Sequence, residues 1–422
     1  MSDATAVRGH APSSAEQRAK PRLLVLNQYY WPGVEATAHL LSQLCEALAE
    51  DFEVTVVTGN LHGLDSLPHE EERAGVRIVR VRSTAYERSQ LSLRAANYAT
   101  YLADSILTTL SGRRPDLVLC MTDPPIVGDI GLLVSRRFGV PLVVISQDVF
   151  PEIAERVKRL ESRLLLGVLR QLVGLYLRRA DRIVAIGETM KLRLEAKGAP
   201  PDKVEVIPNW IDTREITPRP RENAWAEAHG LTGMFVVMHS GNIGHAQDLD
   251  TLVRAATFLR DLEQLRIVIV GFGARHAELI GLARRLDVRN TVRFLPYQPR
   301  DVLPESLSAA DVHYVGLARG LSGYVVPSRL YGILAAARPV LVAADEESET
   351  VRVVREAQCG IVLPPGRPEV LARTIREAVE GTLDLAPFGP RGRAYVEQEA
   401  DCRIAFERYR RLVEDVLASS AR

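Results

Sequence analysis

The stretch VPSRLYGILAAARPV at residues 326–340 contains the unit from which the predicted fold is built, a helix start followed by a buried strand. Pro327 suits the first turn of a helix, where its missing N–H costs no hydrogen bond, and Ser328 is a residue type that caps helices. The free N–H groups and the dipole of a helix start favour a phosphate, and Arg329 adds a full positive charge beside them. This stretch alone leaves two alternatives open, an anion-binding site or an ordinary capped helix with a solvated arginine.

The same alternation of helical segments and short apolar runs extends along most of the chain. Apolar runs of this length between amphipathic helices are typical of parallel sheets that are covered by helices on both faces. The runs occupy residues 22–27, 54–58, 116–120, 142–146, 182–186 and 204–207, and then residues 235–239, 266–271, 292–295, 312–315 and 340–343. The two series predict an α/β protein with two Rossmann-like, doubly wound domains.

A polar stretch at residues 213–223 separates the two series and predicts a domain boundary near Pro208. We expect the following organisation: a disordered tail at residues 1–20, a first domain at 21–207, a second at 208–392, and a charged helix at 393–422 that crosses back to the first domain.

The composition excludes several classes of protein. Lys plus Arg and Asp plus Glu both number 53, so no basic excess indicates nucleic acid as a partner. The four cysteines lie far apart without metal-ligand spacing, which favours a reduced, cytoplasmic chain without structural zinc. No signal-peptide core and no run of about 20 apolar residues is present. The acidic triplet Asp248-Leu249-Asp250 is interpreted as a helix start and not as a metal site.

Leucines and arginines are interleaved between residues 156 and 179. This pattern has two interpretations: a helix that lies in the interface of an anionic membrane, or a core helix whose arginines reach solvent.

Three glycine-bearing turns follow predicted strands, around Gly33, at Gly241 to Gly244, and at Gly271 to Gly273. A glycine at such a place lets backbone N–H groups approach a ligand closely, although a tight turn between strand and helix also explains it.

Five motifs in sequence order carry a resemblance to a known family. They are NQYYWPGVEAT at 27–37, SQDVFPE at 146–152, VIPNWID at 206–212, SGNIG at 240–244 and PSRLY at 327–331. From Pro21 onward the chain resembles the GT-B glycosyltransferases of family 4, and within them the bacterial subgroup of colanic-acid, O-antigen and exopolysaccharide assembly that includes fucosamine-transferase-like proteins.

The resemblance implies a retaining enzyme without a cofactor or a metal. It implies transfer of a sugar from a nucleoside diphosphate donor, with UDP as the expected nucleotide, on the second domain to an acceptor on the first. That acceptor is expected to be a glycan or a polyprenyl-diphosphate-linked glycan, which places the protein in the cytoplasm with peripheral contact to the inner face of the plasma membrane. Two alternatives stay open: a nucleotide-sugar 2-epimerase of the same architecture, and a non-catalytic sugar-nucleotide-binding partner.

The motifs and the resemblance together give the candidate site residues. Asp148 stands at the end of a strand and is the predicted base or orienting group for the acceptor hydroxyl, with Glu152 as a weaker second candidate. Tyr29, Tyr30 and Trp31 are predicted to stack on the acceptor sugar, with loop packing as the alternative. The predicted nucleotide-sugar-binding residues are Gly33, Thr37, Gly241, Asn242, His245, Gln247, Gly273, Leu295, Ser328, Arg329, Glu347 and Glu349.

This chain departs from the wider family at the phosphate loop and at a glutamate pair. The loop's usual Arg and Lys correspond to Asn242 and Gln247, so Arg329 becomes the leading cation for the diphosphate. The two glutamates correspond to Tyr324 and Gly332, and Glu347 or Glu349 is therefore predicted to take over the hydroxyl contacts. We interpret these changes as an altered site and not as a dead one.

Overall fold

A computed structural model describes residues 20–33, 36–60, 67–84, 86, 91–157 and 160–420, without the side chains of residues 91, 92, 94 and 95. The predicted tail, apart from Lys20, lies outside the described residues, as do Val34 and Glu35 of the first glycine-bearing loop.

The first sheet has the strand order β3-β4-β2-β1-β5-β6-β7-β8, and all its pairings are parallel except that of β3 with β4. Its strands and helices are β1 (Arg22–Leu26), α1 (Ala36–Leu48), β2 (Glu53–Thr58), β3 (Glu70–Arg73), β4 (Val76–Arg80), α2 (Leu91–Ser111), β5 (Leu117–Met121), α3 (Val127–Phe138), β6 (Leu142–Ser146), α4 (Glu152–Arg156), α5 (Arg163–Arg179), β7 (Arg182–Ala185), α6 (Glu188–Ala196) and β8 (Val204–Val206). Two apolar clusters cover the two faces of this sheet, as a doubly wound fold requires.

The second sheet is entirely parallel, with the order β11-β10-β9-β12-β13-β14. Its strands and helices are α7 (Ala224–Ala228), β9 (Phe235–Ser240), α8 (Leu249–Ala255), β10 (Leu265–Val270), α9 (His276–Arg285), β11 (Val292–Leu295), α10 (Leu303–Ser308), β12 (Val312–Gly316), α11 (Arg329–Ala335), β13 (Val340–Ala343), α12 (Glu349–Ala357), β14 (Gly360–Leu363) and α13 (Pro368–Val379). The prediction of two Rossmann-like α/β domains is confirmed.

The C-terminal segment forms two helices, α14 (Phe388–Glu399) and α15 (Cys402–Ser420), where the sequence suggested one. The helix is interrupted at Ala400 and Asp401 because these residues pair with Ile211, in the linker that joins the two domains. Ile211 donates its N–H to the carbonyl of Ala400, and Cys402 donates its N–H to the carbonyl of Ile211. Helix α14 packs on α11 of the second domain, whereas α15 packs on α1 of the first. Only α15 therefore returns to the first domain.

Among the described helices, none combines the length and the apolar composition that a bilayer crossing requires.

Candidate functional site

Two glycine turns interlock at the carboxyl edge of the second sheet. Gly241 follows β9 with a φ of 137°, and Gly271 follows β10 with a φ of 136°. Residues that carry a side chain rarely adopt this backbone conformation. A Cβ on Gly271 would overlap the carbonyl oxygen of Gly241, and one on Gly273 would overlap that of Ile243. Glycine is required here because the two turns lie against each other.

Hydrogen bonds hold this pair of turns in one shape. Ile243 donates its N–H to the carbonyl of Phe272 at 3.0 Å, and Arg275 donates to the carbonyl of Ile243 at 3.0 Å. The side-chain oxygen of Gln247 accepts a hydrogen bond from the N–H of Gly244 at 2.9 Å. Gln247, which was predicted to contact the phosphate, therefore stabilises the turn to which it belongs. Asn242 and His245 are exposed on the same turn.

Arg329 lies over the Gly241 turn, with its guanidinium carbon 4.0 Å from the position that a Cβ on Gly241 would occupy. Its Nη1 is 3.0 Å from both ring nitrogens of His239, which is fully buried at the end of β9. Nε2 of His239 also contacts the carbonyl of Asn242 at 3.3 Å.

The electrostatics of this pair leave one net positive charge. Burial, and secondly the charge of Arg329, lower the pKa of His239 well below its usual range, so the imidazole is neutral. Burial lowers the pKa of Arg329 to about 10, which keeps the guanidinium charged at neutral pH. In the described part of the chain no carboxylate forms an ion pair with Arg329. A half-buried cation without a counter-ion is able to bind an anion, and this stays a prediction for Arg329.

Ser328 occupies the residue before α11, but it does not cap the helix as predicted. Its φ of −61° and ψ of −22° are already helical, whereas a capping residue has an extended backbone that turns its side chain onto the N–H groups. The predicted anion site therefore depends on Arg329 and the glycine turns.

Glu349, a predicted site residue, is occupied by hydrogen bonds within the protein. Its side chain is 1% exposed, and one oxygen accepts from both Nε and Nη2 of Arg352 at 2.9 and 2.6 Å. The other oxygen accepts from the backbone N–H and the hydroxyl of Thr189 in the first domain, at 3.2 and 3.3 Å. A carboxylate has about four lone-pair sites, and all four are occupied. The prediction that Glu349 contacts donor hydroxyls is wrong for this reason, whereas Glu347 is exposed.

The acids of the triplet at 248–250 serve the second domain internally. Asp248, in the left-handed region at φ 47°, accepts from the hydroxyl of Thr251 at 2.9 Å and from the N–H of Gly366 at 3.0 Å. Asp250 forms an ion pair with Arg275. Leu295, the predicted main-chain contact to the base, accepts the N–H of Gly271 through its carbonyl at 3.0 Å and so lies beside the glycine turns.

Asp148 lies where the two domains meet. It follows β6, it is exposed, and its backbone forms an isolated antiparallel bridge with Val325, four residues before Arg329. The structure thus brings the predicted acceptor-side carboxylate close in the fold to the start of α11. Glu152 instead binds Lys197 at 2.7 Å and Arg170 at 3.4 Å, so its charge is already neutralised by two cations.

The predicted aromatic platform of the acceptor site is largely buried. Tyr29 is 4% and Tyr30 is 1% exposed, and Tyr30 packs in the core beneath α1. Neither ring has a free face for a sugar, so the stacking prediction is wrong for these two residues. Trp31 is half-buried under the guanidinium of Arg73, 4.3 Å from the ring centroid.

The first glycine-bearing loop differs from its counterpart in the second domain. Gly33 donates its N–H to the carbonyl of Tyr30 at 2.8 Å, which makes it part of a closed turn. Thr37 lies in the first turn of α1 and is partly exposed.

Sequence reasoning missed two groups. The ring of Tyr324 lies between the guanidinium groups of Arg156 and Arg193, at the position where the resembling family has a glutamate. Asp129, in the first turn of α3, has both carboxylate oxygens buried and without a hydrogen-bond partner among the described residues. Only the departure at Tyr324 was visible in the sequence, because burial of Asp129 depends on how α3 packs.

Two family descriptions match the chain, one to each domain. Residues 33–210 match the glycosyl transferase 4-like domain, and residues 222–394 match the glycosyl transferases group 1. The chain is 30% identical over 322 residues to the probable glycosyltransferase WbjE of Pseudomonas aeruginosa, covering 75% of this chain and 78% of that protein. It is also 30% identical over 233 residues to the putative colanic acid biosynthesis glycosyl transferase WcaI of Escherichia coli K12, covering 53% of this chain and 55% of that protein.

Solved structures share the architecture at low sequence identity. Anabaena HepE in complex with UDP and glucose superposes with a TM-score of 0.74 at 17% identity, covering 94% of this chain and 100% of that one. WaaG, a glycosyltransferase involved in lipopolysaccharide biosynthesis, gives a TM-score of 0.68 at 17% identity, covering 92% of this chain and 99% of that one. These likenesses concern the fold.

Proposed function

Because this chain belongs to the glycosyltransferases with the GT-B fold, we propose that it transfers a sugar from a UDP-sugar donor to a lipid-linked or glycan acceptor in cell-surface polysaccharide assembly. The name of one relative, a putative colanic acid biosynthesis glycosyl transferase, supports the polysaccharide context. Solved structures of the same fold that contain UDP or UDP-glucose support the choice of donor.

The observation that carries the proposal is the unpaired charge of Arg329 over the interlocked glycine turns. The diphosphate of the donor supplies the missing anion, and the compact Gly241 turn leaves room for phosphate oxygens beside the guanidinium. Asn242, which carries no charge, is the neighbouring polar contact on this turn. The sugar then lies toward the start of α11 and the first domain.

Asp148 is the group that acts on the acceptor. Its exposed carboxylate at the carboxyl end of β6 orients the incoming hydroxyl, or accepts its proton, next to the anomeric carbon. We propose retention of configuration by same-face displacement, in which the leaving diphosphate shares the acceptor proton and Arg329 stabilises its developing charge. On this basis Asp148→Asn lowers kcat at least about 100-fold and leaves the affinity for UDP within about twofold, as expected for an interaction specific to the transition state.

A polyprenyl-diphosphate-linked acceptor requires access to the membrane. Helix α5 presents an apolar ridge of exposed side chains to solvent: Leu164 (82% exposed), Leu165 (45%), Val168 (49%) and Leu172 (36%). Arg163, Arg178 and Arg179 on the same helix are exposed and provide charge for anionic head groups. We propose that the protein works on the inner face of the plasma membrane, with α5 toward the lipid.

The test begins with thermal stabilisation by a panel of nucleotide sugars, since a ligand that binds only the folded state raises its melting temperature. The stabilising donor is then incubated with undecaprenyl-diphosphate-linked glycan acceptors, and the product is identified by mass spectrometry. Sugar on the acceptor supports the proposal. Release of a free epimer without an acceptor would identify a nucleotide-sugar epimerase, and binding without turnover on any acceptor would identify a non-catalytic partner.

A further inference from the structure

A short segment of the second domain is built into the core of the first. Residues 320–326 lie between β12 and α11, and their side chains Tyr324 and Val326, each 8% exposed, pack in the cluster that covers one face of the first sheet. Leu321 of the same segment packs in a cluster of the second domain, so the segment links the cores of the two domains.

Two arginines of the first domain enclose the ring of Tyr324. The guanidinium carbons of Arg156, at the end of α4, and Arg193, in α6, lie 4.5 and 4.7 Å from the ring centroid. Both distances are within the range of a cation–π interaction. The arginines also hold the backbone around the ring: Arg156 donates to the hydroxyl of Tyr324 at 3.2 Å and to the carbonyl of Gly320 at 2.9 Å.

Hydrogen bonds to backbone groups also hold residues 320–326 against the first domain. Val149 donates its N–H to the carbonyl of Tyr324 at 2.9 Å, next to the bridge between Asp148 and Val325. Arg193 donates to the carbonyl of Ser322 at 3.2 Å. Gly323 has a φ of 78°, and a Cβ there would lie 2.6 Å from the carbonyl of Thr189, so only glycine allows this approach.

We infer that Tyr324 is a positioning residue, which holds the Asp148 loop of the first domain in register with Arg329 of the second. This inference rests on the proposed function, because it concerns how the acceptor-side carboxylate and the donor-side cation are kept at one distance. The ring packs in the cluster of the first domain and contacts two of its arginines, so we expect it to make no contact with the donor. Among the described residues the hydroxyl takes part in one hydrogen bond, whereas the ring supports both arginines and the core contact.

The experiment compares Tyr324→Phe, which keeps the ring, with Tyr324→Leu, which removes it. We expect Tyr324→Leu to lower kcat about tenfold or more, since small misplacements of reacting groups are costly, while the Kd for UDP stays within about twofold. We expect Tyr324→Phe to have a kcat within about threefold of that of the parent chain, because this variant keeps the aromatic ring between the arginines. The double variant Arg156→Gln with Arg193→Gln is expected to show the same loss of kcat, because it removes both cations without altering the core. Arg136→Gln, an exposed arginine on α3 of the first domain, serves as the matched control.

A second readout does not depend on the identity of the sugar. The native cysteines Cys45, Cys120, Cys359 and Cys402 are buried, so spin labels at Leu107→Cys in the first domain and Phe258→Cys in the second report the distance between the domains. We expect a narrow distance distribution in the parent chain and in Tyr324→Phe, and a broader one in Tyr324→Leu, with and without UDP.

The outcomes separate this inference from the proposed function. An unchanged distance distribution and an unchanged kcat in Tyr324→Leu would overturn the positioning role and leave the transferase proposal intact. An equal loss of UDP affinity in Tyr324→Phe and Tyr324→Leu would also overturn it, because the residue would then contact the donor. Absence of sugar transfer by the parent chain would refute the proposed function, while the label distances would still decide whether Tyr324 fixes the domains.

Discussion

We expect donor binding to depend most on Arg329, because its charge is not paired with a carboxylate among the described residues. Arg329→Ala is expected to weaken UDP binding by about 1.5 to 3 kcal/mol, the range for a hydrogen bond to a charged group. Calorimetric titration with UDP measures this change. Arg355→Ala is the control, since Arg355 is exposed and pairs with Glu346. Equal affinity for UDP in the Arg329 variant and the parent chain would remove this residue from the phosphate site.

Asp129 makes the stability of the chain depend on pH. Burial raises the pKa of Asp129 to about 7, well above that of an aspartate in an unfolded chain. Between pH 4 and 7 the folded state therefore binds more protons than the unfolded state, and the free energy of unfolding falls as the pH rises. The asparagine of Asp129→Asn cannot lose a proton. When the pH is raised from 5 to 8, the free energy of unfolding of this variant is therefore expected to rise by on the order of 1 to 2 kcal/mol relative to that of the parent chain.

Urea unfolding at pH 5 and pH 8 checks this expectation. The exposed Asp202→Asn serves as the matched control and is expected to leave the pH dependence as it is. A parallel pH dependence in the Asp129→Asn variant and the parent chain would contradict the role of the buried carboxylate.

The sequence predicted a group of residues, defined by backbone shape and charge, that the structure brings together, and their role in donor binding stays a prediction. Glycine after a strand and an arginine at a helix start have few alternative uses, and the predicted residues Gly241, Gly273 and Arg329 lie together. It failed where the role depends on which partner a side chain meets. A glutamate has the same local pattern whether it faces a ribose or Thr189, and Tyr30 has the same pattern whether it faces solvent or the core.

Helix α5 illustrates the same limit for a complete element. Its leucines and arginines were compatible with a core helix and with a membrane-facing one, and only the exposure of Leu164 and Val168 favours the second. The short strand β3 was not predicted, because its sequence EEER lacks the apolar pattern of a strand and is held at the sheet edge by antiparallel pairing with β4. Strands β4 and β14 were not predicted either.

The ridge on α5 gives a prediction for lipid binding. Leu164→Ser with Val168→Ser is expected to weaken binding to vesicles of phosphatidylglycerol and phosphatidylcholine about tenfold or more, since two exposed apolar side chains lose their contact with lipid. Co-sedimentation measures the bound fraction. Leu192→Ser is the control, because this leucine is 64% exposed on α6, outside the ridge. Equal loss in the control and the ridge variant would mean that α5 has no special part in lipid binding.

For the molecule as a whole, we expect the stability of the fold to depend on α15, which packs on the first domain although it follows the second in sequence. Tyr409 is fully buried on this helix and makes an edge contact with Trp210 of the linker, with ring centroids 5.7 Å apart. Tyr409→Ala is expected to lower the free energy of unfolding by about 3 to 5 kcal/mol, the usual cost of removing a buried aromatic ring. Chemical denaturation measures this loss.

Tyr409→Phe is the matched control for that loss. The hydroxyl of Tyr409 has no hydrogen-bond partner among the described residues, so its removal is expected to be nearly neutral. If the phenylalanine variant lost as much stability as the alanine variant, the ring would not be the stabilising part.

At this level the sequence predicted the fold class because strand and helix periods alternate so regularly. It also predicted that the C-terminal end returns to the first domain, but not that the segment breaks at Asp401. That break is set by pairing with Ile211, which lies 190 positions earlier in the chain. Contacts of this kind depend on the assembled domains and leave no local pattern.

The position of α15 also has a consequence for biosynthesis. A ribosome delivers residues 402–420 after the second domain has been made, so the nascent first domain cannot complete its core until this helix follows. A frameshift or premature stop codon just upstream of residue 402 would yield a polypeptide whose first sheet has an uncovered apolar surface. Such a truncated product would be a target for chaperones and proteases, even though every residue of the predicted donor site is present.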